Sequence, residues 1–196
     1  TSGSSDYLEL CKGAAVSTRK YTGCLSSRAP DNKEEGVRAM KLAVVGSINM
    51  DMTVTAERIP KKGETLHGYN IHYIPGGKGA NQAVAMAKLG ADVEMFGCIG
   101  DDENGQKLLA NLREVGVKTE HIKTVKGVPT GIAMITVAEN DNTIVVVPGA
   151  NGAVDRTYID EVKPELEKFD MVVLQHEIPL DTVHYIVDFC AKKKIQ

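Results

Sequence analysis

The stretch KLAVVGSINMD, residues 41–51, decides the architecture. Its run LAVVGSI is too continuously apolar for a strand with one wet face and suits a strand covered on both sides in a parallel sheet. Polar side chains gather only where the run ends, in Gly46-Ser47-Ile48-Asn49-Met50-Asp51. Open α/β sheets collect ligand groups just beyond the C-terminal ends of their strands. Asn49 and Asp51 stand two positions apart, so in an extended chain they face the same way. An amide beside a carboxylate suits a polyhydroxylated molecule, whose vicinal hydroxyls both donate and accept hydrogen bonds. The competing reading is an Asx-type turn that satisfies its own backbone.

Working outward, GGKGANQAVAMAKL (76–89) is a glycine-rich turn that opens directly into a helix. Ala80, Ala83, Val84 and Ala87 share one side at helical spacing over 80–89, and Gly90 supplies the stop. Glycines permit close backbone approach, and a helix N-terminus presents unpaired amides that can bind an anion or a hydroxyl oxygen. The turn matches neither GxxxxGK[ST], since no Ser or Thr follows Lys78, nor GxGxxG, since Gln82 stands where the last glycine belongs. A tight strand-to-helix turn without ligand is the alternative.

The remainder alternates. Residues 51–56 and 66–73 read as a half-exposed antiparallel pair outside the main sheet, 93–99 as a buried strand, and 104–115 as a helix with Leu108, Leu109 and Leu112 inward. Residues 131–138 and 143–147 form a hairpin across the turn cluster Glu139-Asn140-Asp141-Asn142. A helix over 158–169, a buried strand over 171–175 and a helix over 182–193 follow, the last with Val183, Ile186, Val187 and Cys190 aligned. The fold class expected is therefore α/β, doubly wound around a mostly parallel sheet. Glu177, just past the strand MVVLQ, falls at the same sheet edge as Asn49 and the glycine turn if the strands run parallel. It could equally serve the dipole of the next helix.

Composition narrows the function. The 196 residues carry a formal charge of -3, which gives no positive field for nucleic acid or an anionic membrane. The four cysteines, Cys11, Cys24, Cys98 and Cys190, form no CxxC pair, so neither a zinc cluster nor a disulfide scaffold is expected, and a reducing cytoplasm fits. No apolar run approaches the roughly 18 residues of a membrane span. His176 and the other histidines lack HExxH spacing and read as surface or boundary residues, and Met86, Met95, Met134 and Met171 read as core. No metal site and no GxSxG elbow are indicated.

Residues 1–39, rich in Ser, Gly, Thr and charge, are expected to be a disordered or non-native extension, with Met40 as the natural start of the folded part. They show neither a secretory signal nor the acid-poor composition of a transit peptide. At the other end the chain stops just beyond a helix, where a doubly wound fold would continue into a further strand, so the C-terminal part of the fold is expected to be missing.

The motifs VVGSINMD (44–51), PKKGET (60–65), GGKGANQAVA (76–85), GDDENG (100–105), PTGIAMI (129–135), VPGAN (147–151) and LQHEIP (174–179) are collinear. Through them, residues 40–196 resemble the N-terminal half of the ribokinase-type family of sugar and nucleoside kinases. The resemblance implies an α/β domain with a small β-sheet lid, here about 51–56, 66–73 and 130–147, that also forms a homodimer contact. It further implies ATP-dependent phosphorylation of D-ribose at its 5-hydroxyl, with Mg2+ and a monovalent cation, K+, as cofactors. By the same resemblance Asn49, Asp51, Gly77, Lys78, Asn81 and Glu177 would hold the sugar hydroxyls, with Ala133 and Ile135 as apolar cover. The family's general-base Asp, in a late GAGD motif, and the nucleotide and cation sites have no counterpart here, so the chain by itself is expected to be inactive. The alternatives are a non-catalytic sugar-binding or dimerising fragment, a kinase of the same family acting on another sugar or nucleoside, or a chain that does not fold stably alone because its sheet edge stays unpaired.

Overall fold

The structure, a computed structural model, describes residues 40–196; the expectation for residues 1–39 lies outside them. In chain order the elements are β1 (Lys41–Val45), β2 (Asn49–Thr55), β3 (Asn70–Gly76), α1 (Lys78–Lys88), β4 (Asp92–Gly100), α2 (Glu103–Glu114), β5 (Ile122–Val125), β6 (Gly131–Ala138), β7 (Asp141–Val147), a 3-10 turn (Gly149–Ala153), α3 (Arg156–Leu166), β8 (Met171–Leu174) and α4 (Leu180–Lys193).

Two four-stranded sheets result, one ordered β5-β4-β1-β8 and the other β3-β2-β6-β7. The first is wholly parallel, with β1 paired on both sides, to β4 and to β8. This explains the continuous apolar run of β1. Ala43 and Val45 point into a core shared with α3 and α4, through Tyr158, Ile159, Leu166 and Ile186. Val44 points into a second core, with Ala80 and Ala83 of α1 and Leu108 and Leu112 of α2. The sheet thus lies between two helix layers, as alternating strands and helices require.

The second sheet takes in both segments that broke the alternation. β2 pairs antiparallel with β3 and parallel with β6, and β6 pairs antiparallel with β7. The β6–β7 turn is tighter than the four-residue cluster expected. Glu139 and Asn140 alone connect the strands, both in left-handed backbone (φ 54° and 61°), which is the two-residue turn whose twist matches a hairpin.

Other differences have physical causes. β2 starts at Asn49 rather than Asp51, and β3 runs over 70–76 rather than 66–73, because the ladder pairs Asn49 with Gly76. β5 was not foreseen: it is a four-residue edge strand, IKTV, too short to show a period. The 3-10 turn was also unread. α3 begins at Arg156, capped by the Asp155 carboxylate, which accepts the Tyr158 N–H at 2.9 Å. Met134 was expected in the core but is 54% exposed, since alternation along β6 sends it to the outer face of the second sheet. Val187 is likewise exposed, and Phe189 takes its expected place on the buried side of α4.

Candidate functional site

The site is built where β1 hands over to β2. Gly46-Ser47-Ile48 leaves the parallel sheet and enters the second sheet at Asn49, so the end of β1 and the start of β2 share one corner. The glycine turn closes over this corner. Gly77 has φ 90°, and a Cβ there would lie 2.8 Å from both the Asn49 nitrogen and the Ser47 oxygen. At Gly79 a Cβ would meet the Ser47 nitrogen at 2.7 Å. Real Cβ atoms do not approach backbone so closely, so glycine at both positions is what lets α1 start against the β1–β2 link.

The first turn of α1 departs from expectation. Its amides are not open to a ligand. The Lys78 N–H donates to Glu177 Oε2 at 3.0 Å, the Gly79 N–H to Ser47 Oγ at 3.3 Å, and the Ala80 N–H to the Ser47 carbonyl at 3.0 Å. The Asn81 N–H closes onto the Gly77 carbonyl at 2.9 Å. The N–H groups of the first turn, from Lys78 to Asn81, are thus satisfied by the protein itself, so what α1 offers a ligand is side chains.

Those side chains converge. Asn49, Asp51, Gly77, Lys78, Asn81, Ala133, Ile135 and Glu177, all the residues singled out from the sequence, line one cavity of about 400 Å³, together with Ile144 and Val146. Sheet register explains the set. Asp51 pairs with Ala133, which pairs with Val146, and Ile135 pairs with Ile144, so these residues stand on the same face of the second sheet. Glu177 arrives because β8 lies directly beside β1. A neighbouring cavity of about 470 Å³ shares Asn49, Val146 and Glu177 and adds His176 and Ile178.

Electrostatics separate the two carboxylates. Burial raises the Glu177 carboxyl, but Lys78 Nζ at 2.5 Å, the Lys78 N–H and the Ser47 hydroxyl at 2.7 Å outweigh it and hold the group below the usual glutamate range. Asp51 is pushed above the usual aspartate range, first by burial and then by the charge of Glu177. One carboxylate is thus fully committed as an anion while the other takes up a proton more readily. The cavity offers the donors and acceptors of a polyol site, with apolar residues across from them.

Four contributors escaped the sequence. Ser47 and Asn151 are buried polar residues behind the lining, and Ile144 and Val146 reach the cavity only through the hairpin register. Counting alternate positions across the hairpin would have found the last two; Ser47 and Asn151 stand in stretches that were read, 46–51 and 147–151, but nothing local shows that they hold other side chains. Among the described residues no three His, Cys, Asp or Glu side chains gather as a metal site, and no helix is long and apolar enough to cross a membrane.

A doubly wound parallel sheet, a smaller mixed sheet and a polar cavity at their junction define the ribokinase-like α/β fold. The pfkB family carbohydrate kinase pattern matches residues 39–195. The chain is 46% identical over 149 residues to the ribokinase of Bacillus subtilis, covering 76% of this chain and 51% of that protein. It is 37% identical over 158 residues to a deoxyribokinase of Salmonella typhi, covering 80% and 52%. A solved structure of Arabidopsis thaliana ribokinase complexed with ribose and ATP superposes with a TM-score of 0.72 at 35% identity, covering 81% of this chain and 52% of that one. The chain therefore belongs to the pfkB family of carbohydrate kinases. It spans about half the length of the curated relatives it matches.

Proposed function

We propose that this chain forms the sugar-binding part of an ATP-dependent kinase that phosphorylates D-ribose at its 5-hydroxyl. The observation that carries the reading is the convergence of all eight sequence-selected residues on one cavity. In this reading Asn49, Asp51, Lys78, Asn81 and Glu177 hydrogen-bond the sugar hydroxyls, and Gly77 lets them approach the backbone. Ala133 and Ile135, in the second sheet, act with Ile144 and Val146 as an apolar lid. The Bacillus subtilis ribokinase and the ribose- and ATP-bound Arabidopsis ribokinase support both the acceptor and the donor.

ATP, Mg2+ and K+ belong to the reading by kinship, and the described residues do not fit them. The α1 amides are occupied, Lys78 is paired with Glu177, and among the described residues no three His, Cys, Asp or Glu side chains gather to hold a metal ion. No catalytic step is derived through them, and the general base is assigned to a part of the whole enzyme outside this chain. The second sheet is also proposed as the contact of a homodimer.

Calorimetric titration of the chain with ribose tests the sugar site, and ADP release by a longer parent protein given ATP and ribose tests the reaction. Ribose binding by the chain and ribose-dependent ADP release by the parent are expected. No heat with ribose, or turnover with fructose or adenosine in its place, overturns the assignment. Because deoxyribokinases are also similar to the chain, 2-deoxyribose belongs in the same titration, and a preference for it would move the substrate accordingly.

A further inference from the structure

The direction in which Asn49 presents its amide is set by a residue that the sugar reading leaves out. Asn151, in the 3-10 turn, is 1% exposed. Its Oδ1 accepts the Ile48 backbone N–H at 2.9 Å. A backbone N–H can only donate, so the atom facing it is the oxygen and the other arm of the carboxamide is nitrogen. That Nδ2 donates to the Asn49 side chain at 2.6 Å and to the Ile48 carbonyl at 3.3 Å. An NH2 group cannot accept, so Asn49 must turn Oδ1 toward it. The Nδ2 of Asn49 is then left for the cavity that Asn49 lines. One backbone N–H thus dictates the polarity of two amides in series.

The surroundings hold this pair in place. A Cβ on Gly131 would lie 2.2 Å from Asn151 Nδ2 and 2.3 Å from Asn49 Oδ1, so only glycine leaves the amides room against the start of β6. The 3-10 turn is tied to the same segment, with the Ala150 N–H donating to the Pro129 carbonyl at 2.8 Å. Both asparagines are buried, where an amide in the wrong orientation would leave polar atoms unpaired.

We infer that Asn151 is a positioning residue that makes Asn49 a hydrogen-bond donor to the ligand, so that the cavity selects an oxygen acceptor at that point. The inference rests on the sugar reading of the cavity and deepens it. The carboxylates of Asp51 and Glu177 accept, and Asn49 supplies a neutral donor of fixed direction. A sugar hydroxyl satisfies both kinds of partner. An ammonium substituent facing Asn49 would set N–H against N–H.

The test uses the whole 196-residue chain, isotopically labelled, and the variant Asn151→Asp. In the unaltered chain a scalar coupling across the hydrogen bond from Asn151 Nδ2 to Asn49 Cγ is expected, and its absence overturns the inference without any variant having to fold. Asp at 151 keeps the volume and still accepts the Ile48 N–H but cannot donate, so Asn49 must turn its NH2 inward and its oxygen to the cavity. Ribose affinity should fall about tenfold, the loss of one well-placed hydrogen bond. The ranking of ligands should also change, with the 2- and 3-amino-deoxyriboses gaining on ribose; a merely structural defect weakens all of them alike. Ribose bound by N151D as tightly as by the unaltered chain, or an unchanged ranking, overturns the inference. If the coupling is present and the unaltered chain binds no ribose, the sugar reading falls while the role of Asn151 in orienting Asn49 stands.

Discussion

Asp51 and Glu177 share a cavity and are driven in opposite directions, which makes each a check on the other. Glu177 titrates below the ordinary glutamate range, so its contribution to stability is complete above that range and is lost as the pH falls through its folded value. Asp51 titrates above the ordinary aspartate range, so its contribution is present at low pH and is lost as the pH rises through its folded value. Replacing Glu177 by Gln removes the charge that adds to the burial of Asp51. The carboxyl signal of Asp51, followed by carbon NMR, should then titrate closer to the ordinary range; an unchanged midpoint would mean that burial alone sets it. The same substitution removes a charged partner worth about 1.5–3 kcal/mol, so calorimetry should show ribose binding weakened at least about tenfold. Asn49, Asp51 and Glu177 were legible because their residue types and strand-end positions speak for themselves. Ser47 and Asn151 were not, because their work is to hold other side chains, and that depends on contacts 130 and 102 positions apart in the chain.

The element on which the site depends most is the start of α1. Its fit against the β1–β2 link leaves no room at Gly79, whereas Gly90, at φ 89° just past the end of α1, faces open space. Gly79→Ala should therefore cost about 1–3 kcal/mol by overpacking and displace the Lys78–Glu177 pair, lowering ribose affinity together with the thermal midpoint. Gly90→Ala should cost about 1–2 kcal/mol through its left-handed backbone and leave ribose affinity alone. Thermal melts and titrations of the two variants check this, and equal effects on affinity would refute the placement. Helices and buried strands were legible within two or three residues because apolar spacing tracks burial directly. The short edge strand β5 and the 3-10 turn were not, because so few residues show no period.

At the scale of the whole molecule the second sheet carries an unusual outer face. Register aligns Tyr73, Met52, Met134 and Val145 in one row on the side opposite the cavity, and Tyr73, Met134 and Val145 are exposed, as is Ile71 in the next row. A lysine within such a patch is costly to bury. Sedimentation of Val145→Lys should show a monomer at concentrations where the unaltered chain is a dimer; an unaltered chain that is itself monomeric rejects the proposed contact. The core makes a separate prediction. Burial pushes the Cys98 thiol up to about 12 and raises that of Cys190, so both should resist thiol reagents at pH 8 until denaturant is added, as peptide mapping will show. The sequence by itself determined the alternation of strands and helices, the glycine turn and the chemical character of the site, because apolar period and residue type are local properties. Only the tertiary structure decided that both interrupting segments join one sheet, that the amides of α1 are consumed internally, and that Asn49 faces the cavity as a donor. Those outcomes depend on which distant groups compete for each hydrogen bond, and that competition is settled only when the chain has closed on itself.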